Sequence, residues 1–472
     1  MFLTLQASHS RSAAISTRDG VGSVRFDVLI TGKHLHINSQ TVLAGGIGIS
    51  NGRVRALIGE EDLGHYMSAA KRVIDAGENP VLPGIVDGHV HVRDPGQTHK
   101  EDFATATRAA AVGGVTTILT QPNTSPEVID ENTFHAVREI GERRAIVDFG
   151  IQARLDPNRP KASIYLAANG IASFELSTNQ LEPGGLIAAL ALSTKLKPSL
   201  GCYCEDRALV EYAAEDAAAS RLADAPAFLR SLPAEVEVGA AAHLYYMARY
   251  FGTRLTYRQV SSAATLAFLR WARAAAAGPS FAIEVNPHHL LLTADDFLRL
   301  GAVAKVKPPL RSKSDTVALW VALAAGVVDL VGTDHAPHSV DEKACGVQKA
   351  PPGFPGLETM LPVLLTGVAE GRIDLSRLIQ AACEFPARWF GLYPRKGSLQ
   401  LGADADLVIV APERQVLIQP AELQTKAKSS PFKDITLYGQ CLLTMVRGTV
   451  VFDDGRIQVA EGHGMFVAAE FE

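Results

Sequence analysis

Between about Val81 and Leu392 the chain repeats one pattern eight times: a short apolar run that ends in polar residues, then a helical stretch or a long crossover. The runs are Pro80–Val92, Gly114–Asn123, Ala145–Gln152, Gly170–Leu176, Ser199–Glu205, Arg254–Ser262, Phe281–His289 and Val328–His338. Alanine-rich helical stretches at Lys100–Gly113, Ala234–Gly252, Ala263–Gly278 and Ser314–Gly326 lie between them. Parallel strands need a crossover connection, so repeated βα units dictate an α/β fold with a parallel sheet. Eight units favour closure into a (β/α)8 TIM barrel. Polar residues gather at the C-terminal end of each run, the face on which such barrels carry chemistry.

The flanks read differently. Short β-like runs bounded by Gly, Asn or Asp follow one another at Phe26–Gly32, His34–Ser39, Gly45–Gly59 and Lys71–Gly77. The C-terminal part repeats this at Asp404–Pro412, Arg414–Ile418 and Thr436–Ala460. A chain of 472 residues is too long for one core. The expected organisation is a barrel over 81–392, a small β-sandwich domain built from both ends (25–80 plus 393–472), and a loose N-terminal segment, 1–24.

Composition narrows the function. With 47% apolar residues and a net charge of −5, the chain reads as an ordinary globular protein without the basic field that holds nucleic acid. No apolar run approaches 20 residues, so no membrane span is expected. The five cysteines are odd in number and lack CxxC spacing, which argues against a disulfide framework or a thiolate zinc site. The first residues lack a basic n-region, unlike a signal peptide. A soluble, cytoplasmic setting is expected.

His89 and His91 close the first run. Residues two apart on a strand face the same way, so both imidazoles would enter the barrel mouth and can share a divalent ion. Alone, HxH is equally a pair of structural histidines. Asp334 leaves the eighth run at the same face, where an acid can bind a metal and accept a proton; alone it is equally a helix cap. Two histidines and a carboxylate form a donor set for zinc, manganese or iron.

The stretch Leu82–Gly96 (LPGIVDGHVHVRDPG) resembles the first-strand signature of the dihydroorotase, allantoinase and hydantoinase family. Further segments agree in order: Thr98–Ile118 with Gln121–Pro126, Glu284–Thr293, Val306–Asp315, Gly332–Gly346 followed by Phe354–Leu365, and Ser429–Gly439. The resemblance covers nearly the whole chain beyond residue 24 and lies nearest to dihydroorotase. It implies a barrel with a β-sandwich from both ends, and metal-dependent hydrolysis of a cyclic amide, or the reverse ring closure, with Asp334 as general base.

The resemblance also implies six metal ligands, of which His89, His91 and Asp334 are present. The fourth-strand bridging position falls on Glu175, an acid that can replace a carboxylated lysine. The fifth- and sixth-strand histidines fall on Tyr203 and Gln259, both poor substitutes: a phenol titrates near ~10 and an amide carbonyl is a weak donor. His243 sits in a helical stretch, and Cys202 and Cys204 alternate away from Tyr203 into the wall. One divalent ion is therefore expected, zinc first, with manganese or iron as alternatives, held by His89, His91 and Asp334 with Glu175. Arg93, Asn123 and His338 match the family's substrate positions, and Arg93 points to a cyclic amide bearing a carboxylate. Arg93 can equally form a structural pair with Asp94 or Glu101. The alternatives are a non-catalytic scaffold or partner subunit, which the two lost histidines favour, and an amidohydrolase for another cyclic imide or ureide. A homo-oligomer is expected from the resemblance.

Overall fold

The computed structural model describes residues 25–275, 278 and 280–471; the 1–24 segment lies outside the described residues. Four strands come first: β1 (Phe26–His36), β2 (Val42–Ser50), β3 (Arg53–Gly59) and β4 (Ala70–Asp75). The β2–β3 hairpin turns on Asn51-Gly52, both at positive φ (52° and 72°), the pair that matches a type I′ turn to strand twist. A short strand β5 (Val81–Pro83) leads into the barrel.

The barrel strands are β6 (Ile85–Val90), β7 (Val115–Thr120), β8 (Asp148–Ile151), β9 (Ala153–Arg154), β10 (Ser173–Ser177), β11 (Ser199–Tyr203), β12 (Leu255–Tyr257), β13 (Phe281–Val285) and β14 (Leu330–Val331). β9 continues β8 past Gln152, so the barrel has eight staves, one for each apolar run. Neighbours pair in parallel. Val90 bridges His335, with His91 N–H donating to His335 C=O at 2.8 Å, and this joins the first stave to the last. The staves are buried almost throughout, as helices covering a parallel sheet require. Several of those helices begin at side-chain caps: Asp102 accepts from Thr105 N–H, Asp130 from Thr133, Ser262 from Thr265 and Ser312 from Asp315. His243 lies in the helix Ala234–Phe251, as expected.

The remaining strands, β15 (Leu407–Leu417), β16 (Thr436–Val446), β17 (Thr449–Asp453) and β18 (Arg456–Ile457), join the first five in one sheet of order β18-β17-β16-β15-β5-β1-β2-β3, with β4 also beside β1. Val28, Ile30, Ile47 and Ile49 from one end of the chain share a core with Leu407, Ile409, Leu443 and Met445 from the other, the two layers of a sandwich.

The strand pairing departs from the expected boundaries at two places. Val81–Pro83 is apolar and reads as the start of the first stave, but it pairs with β1 and β15 in the sheet. Past β18 the chain returns to the barrel: Val467 N–H donates to Phe149 C=O at 2.8 Å, and Phe466 packs against Phe134 and Phe149. Buried Lys396 fastens sheet to barrel, lying 2.5 Å from Asp148, 2.7 Å from Asp406 and 3.0 Å from Asp404.

Candidate active site

The C-terminal ends of the staves surround a cavity of about 460 Å³. His91, just beyond β6, and Asp334, after β14, line it, and His89, fully buried near the end of β6, stands beside them; the ligand atoms of the three lie within 4.8 Å of one another. Asp334 Oδ1 is 3.0 Å from His91 Nε2 and 3.3 Å from His89 Nε2. Arg93, Gln259 and Asp334 all adopt positive φ (60°, 55° and 48°) and all line the cavity, so three stave ends hold backbone strain where chemistry is placed.

Hydrogen bonds fix which imidazole nitrogen faces inward. His89 Nδ1 lies 2.7 Å from Glu284 Oε1, and His91 Nδ1 lies 2.7 Å from Asn123 Oδ1. Burial pushes the Glu284 carboxyl up, but Arg258 and His89 outweigh it and hold it down at about 2. Glu284 is therefore a carboxylate that only accepts, so His89 carries a proton on Nδ1 and turns Nε2 toward Asp334. Asn123 does the same for His91, which burial keeps neutral with a pKa lowered to about 4. For His89 burial works downward, but Glu284 and Asp334 outweigh it and raise its pKa.

Three further residues lie around this group. Glu175 on β10 is not among the clustered ligand atoms; buried Arg258 grips it, with Nη2 at 2.5 Å from Oε1 and Nε at 3.2 Å from Oε2. Gly201 on β11 makes room for the pair, since a Cβ there would stand 2.2 Å from Glu175 Oε2. Arg258 also reaches Glu284 Oε2 at 2.5 Å and Gly88 C=O at 3.2 Å. Tyr203 Oη is 2.9 Å from His89 Nε2 and 3.0 Å from Gln121 Oε1, and Gln259 lines the cavity wall. Cys202 and Cys204 are buried in the wall, their thiols pushed up by burial.

Sequence reasoning missed Arg258, Glu284 and Gln121. The first two had a legible signal: a charge inside an apolar stave (RLTYRQ, FAIEV) is buried and must find a counter-charge on a neighbouring stave.

Of the substrate positions, Arg93 is buried and lines the cavity, and its side chain has no hydrogen-bond partner among the described residues; its Nε is orphaned. Neither expected structural partner takes it: Asp94 faces Arg144 at 3.5 Å, and Glu101 accepts from Thr105, Thr425 and His335. Asn123 is committed to His91 through its carbonyl. His338 lines the cavity with both nitrogens engaged, Nε2 at 3.0 Å from Pro352 C=O and Nδ1 at 3.4 Å from Lys100 Nζ. Its pKa is lowered to about 3 by burial and by Arg93, Lys100 and Lys343, so the ring is neutral.

The donor set fits a divalent cation. Two imidazole lone pairs and a carboxylate oxygen converge at 3.0–3.3 Å, an arrangement of acceptors that needs positive charge between them. Fold and site together define a (β/α)8 barrel with a hydrolase-type histidine–carboxylate centre at its C-terminal mouth.

Comparison with known proteins gives the family. Residues 241–451 match the Amidohydrolase family and residues 79–263 the Dihydro-orotase-like family. The chain is 32% identical to the L-hydantoinase of Paenarthrobacter aurescens over 94% of its own length and 98% of that protein's. It is 33% identical to the dihydroorotase of Methanothermobacter thermautotrophicus over 88% of this chain and 94% of that one. The allantoinase of Solibacter usitatus is 32% identical over 90% and 94%. The solved structure of the L-hydantoinase from Arthrobacter aurescens superposes with a TM-score of 0.89 at 31% identity, covering 94% of this chain and 100% of that one. The chain belongs to the amidohydrolase family, in its cyclic-amide branch of dihydroorotases, hydantoinases and allantoinases.

Proposed function

We propose that this enzyme hydrolyses a cyclic amide bearing a carboxylate, of the dihydroorotate kind, or closes such a ring in the reverse direction, using one divalent ion held by His89, His91 and Asp334. The observation that carries this reading is the convergence of a carboxylate oxygen with two imidazole nitrogens whose rings are oriented from behind by Glu284 and Asn123. When bound, such an ion polarises the ring carbonyl and lowers the pKa of a water. Asp334 Oδ1 faces the two imidazoles, leaving Oδ2 to accept a proton. As the water oxygen bonds to the carbonyl carbon, Asp334 takes its proton and passes it to the ring nitrogen as the C–N bond breaks.

Arg93 supports the acidic substrate. An unpaired buried guanidinium in a reaction cavity has a favourable use only if a ligand anion meets it. Asn123 and His338 shape the same end of the cavity, His338 as a neutral ring. Zinc suits the donor set, and manganese or iron are the other ions it accepts. Glu175, engaged by Arg258, acts from outside the ligand set. All five cysteines are free, in keeping with a reducing cytoplasmic setting, and no described helix is long and apolar enough to cross a membrane. We expect a homo-oligomer.

The test pairs elemental analysis with a substrate panel of dihydroorotate, hydantoin and allantoin. One ion per chain and turnover of dihydroorotate are expected. Turnover confined to the uncharged rings would favour the second reading, another cyclic imide or ureide. A chain that takes up no ion and turns over none of them would be a scaffold.

A further inference from the structure

A row of hydrogen bonds across the barrel mouth decides how Tyr203 presents its oxygen. It starts at the Gly88 carbonyl, which can only accept. Gln152 Nε2 donates to it at 3.1 Å, so Gln152 turns its carbonyl outward. Gln121 Nε2 donates to that carbonyl at 2.7 Å, which leaves Gln121 Oε1 facing Tyr203 at 3.0 Å. The polarity is set by a backbone carbonyl at one end and holds along both amides, each of them buried. Tyr203 has one O–H, and the row commits it to Gln121.

The phenolic oxygen therefore turns lone pairs toward His89 Nε2, 2.9 Å away. Glu284 engages the other ring nitrogen, Nδ1, so Nε2 is the atom that His89 offers to the proposed ion. The phenolic oxygen, its own proton turned to Gln121, presents lone pairs to the same point. We infer that the Tyr203 oxygen is a fourth, neutral donor to the ion held by His89, His91 and Asp334, with Gln121 and Gln152 as its positioning residues. This rests on the metal reading above and adds Tyr203 to its three ligands. It also explains how a phenol serves without losing its proton: the amide row takes the proton out of the way, and a neutral oxygen donates instead of a phenolate.

Cobalt(II) gives a readout independent of turnover. The full-length chain is loaded with Co(II), its affinity measured by competition with a chelator, and its visible d–d spectrum recorded. Tyr203→Phe, which keeps the ring and removes only the oxygen, is expected to weaken Co(II) binding about 10- to 100-fold and to shift the spectrum. Gln121→Leu, which keeps the phenol but removes its acceptor, is expected to change both in the same direction by less. Unchanged affinity and spectrum in Tyr203→Phe overturns the inference while leaving the three-ligand site standing. Should that variant fail to fold, an unchanged spectrum in Gln121→Leu overturns it. A wild-type chain that takes up no Co(II) overturns both this inference and the metal reading.

Discussion

Arg258 Nη2 lies 2.5 Å from Glu175 Oε1, with both side chains buried inside the barrel. The acid that the family resemblance puts at a bridging metal position thus already has its counter-charge, supplied by the residue immediately before Gln259. Burial works to lower the Arg258 pKa, but Glu175 and Glu284 outweigh it and raise it, so the guanidinium is a permanent cation in the barrel wall. One fixed positive charge is thus shared between two carboxylates, and Glu175 is held by it outside the His89, His91 and Asp334 cluster.

Removing that charge is expected to be costly. Arg258→Met leaves Glu175 and Glu284 buried without a cation, and breaking a buried pair this way costs about 3–5 kcal/mol. Urea unfolding should show that loss, and Arg258→Met/Glu175→Gln should recover part of it. A single variant within about 1 kcal/mol of wild type would mean that water reaches the pair and screens it.

In the proposed reading Arg93 sets the substrate preference, and kinetics separates this role from one in stability. A charged hydrogen bond contributes about 1.5–3 kcal/mol. Arg93→Met should therefore lower kcat/KM for a carboxylate-bearing ring by about 10- to 150-fold and leave an uncharged ring nearly unaffected. Equal losses on both would show that Arg93 shapes the cavity without clamping an acid.

Lys343 gives a pH dependence of stability. Burial, with Lys305 nearby, lowers its pKa to about 7, while its ammonium donates to Pro351 C=O at 2.9 Å. In the unfolded chain it titrates near the ordinary lysine value of 10.5. Between those two values the unfolded chain binds more protons, so stability rises with pH across the window; below about 7 both states are charged and the cost is fully present. The limiting slope for one group is about 1.4 kcal/mol per pH unit. Urea midpoints at pH 7 and pH 9 should show wild type gaining on Lys343→Met. A constant difference would place the Lys343 pKa outside this window.

The staves were legible because an apolar run ending in polar residues signals both a buried strand and its functional end. His89, His91 and Asp334 were legible for the same reason. Arg258 was not: it sits beside Gln259, the position the family resemblance singled out, and only the fold reveals that its guanidinium crosses to β10 and β13. The role of Asn123 toward His91 was hidden likewise, because the two lie on different staves and sequence spacing carries no information about a contact between them. Val81–Pro83 misled for a local reason: three apolar residues before a stave look like part of it, and the sheet pairing that claims them is formed with strands remote in sequence.

Asn123 separates two roles that sequence alone merges. As a substrate residue its loss would raise KM and leave the ion untouched. The structure instead has its carbonyl 2.7 Å from His91 Nδ1, holding that proton away from the cavity so that Nε2 is free to donate to a cation. Residues that orient a metal ligand this way typically contribute about 10- to 100-fold to metal affinity. Asn123→Leu should therefore weaken zinc or Co(II) binding within that range, because nothing then prevents the His91 proton from moving to Nε2, 3.0 Å from Asp334 Oδ1, and satisfying the carboxylate in place of the ion. Chelator competition measures the affinity and steady-state kinetics the KM. A raised KM with metal affinity unchanged would return Asn123 to the substrate side and leave His91 oriented by Asp334 alone.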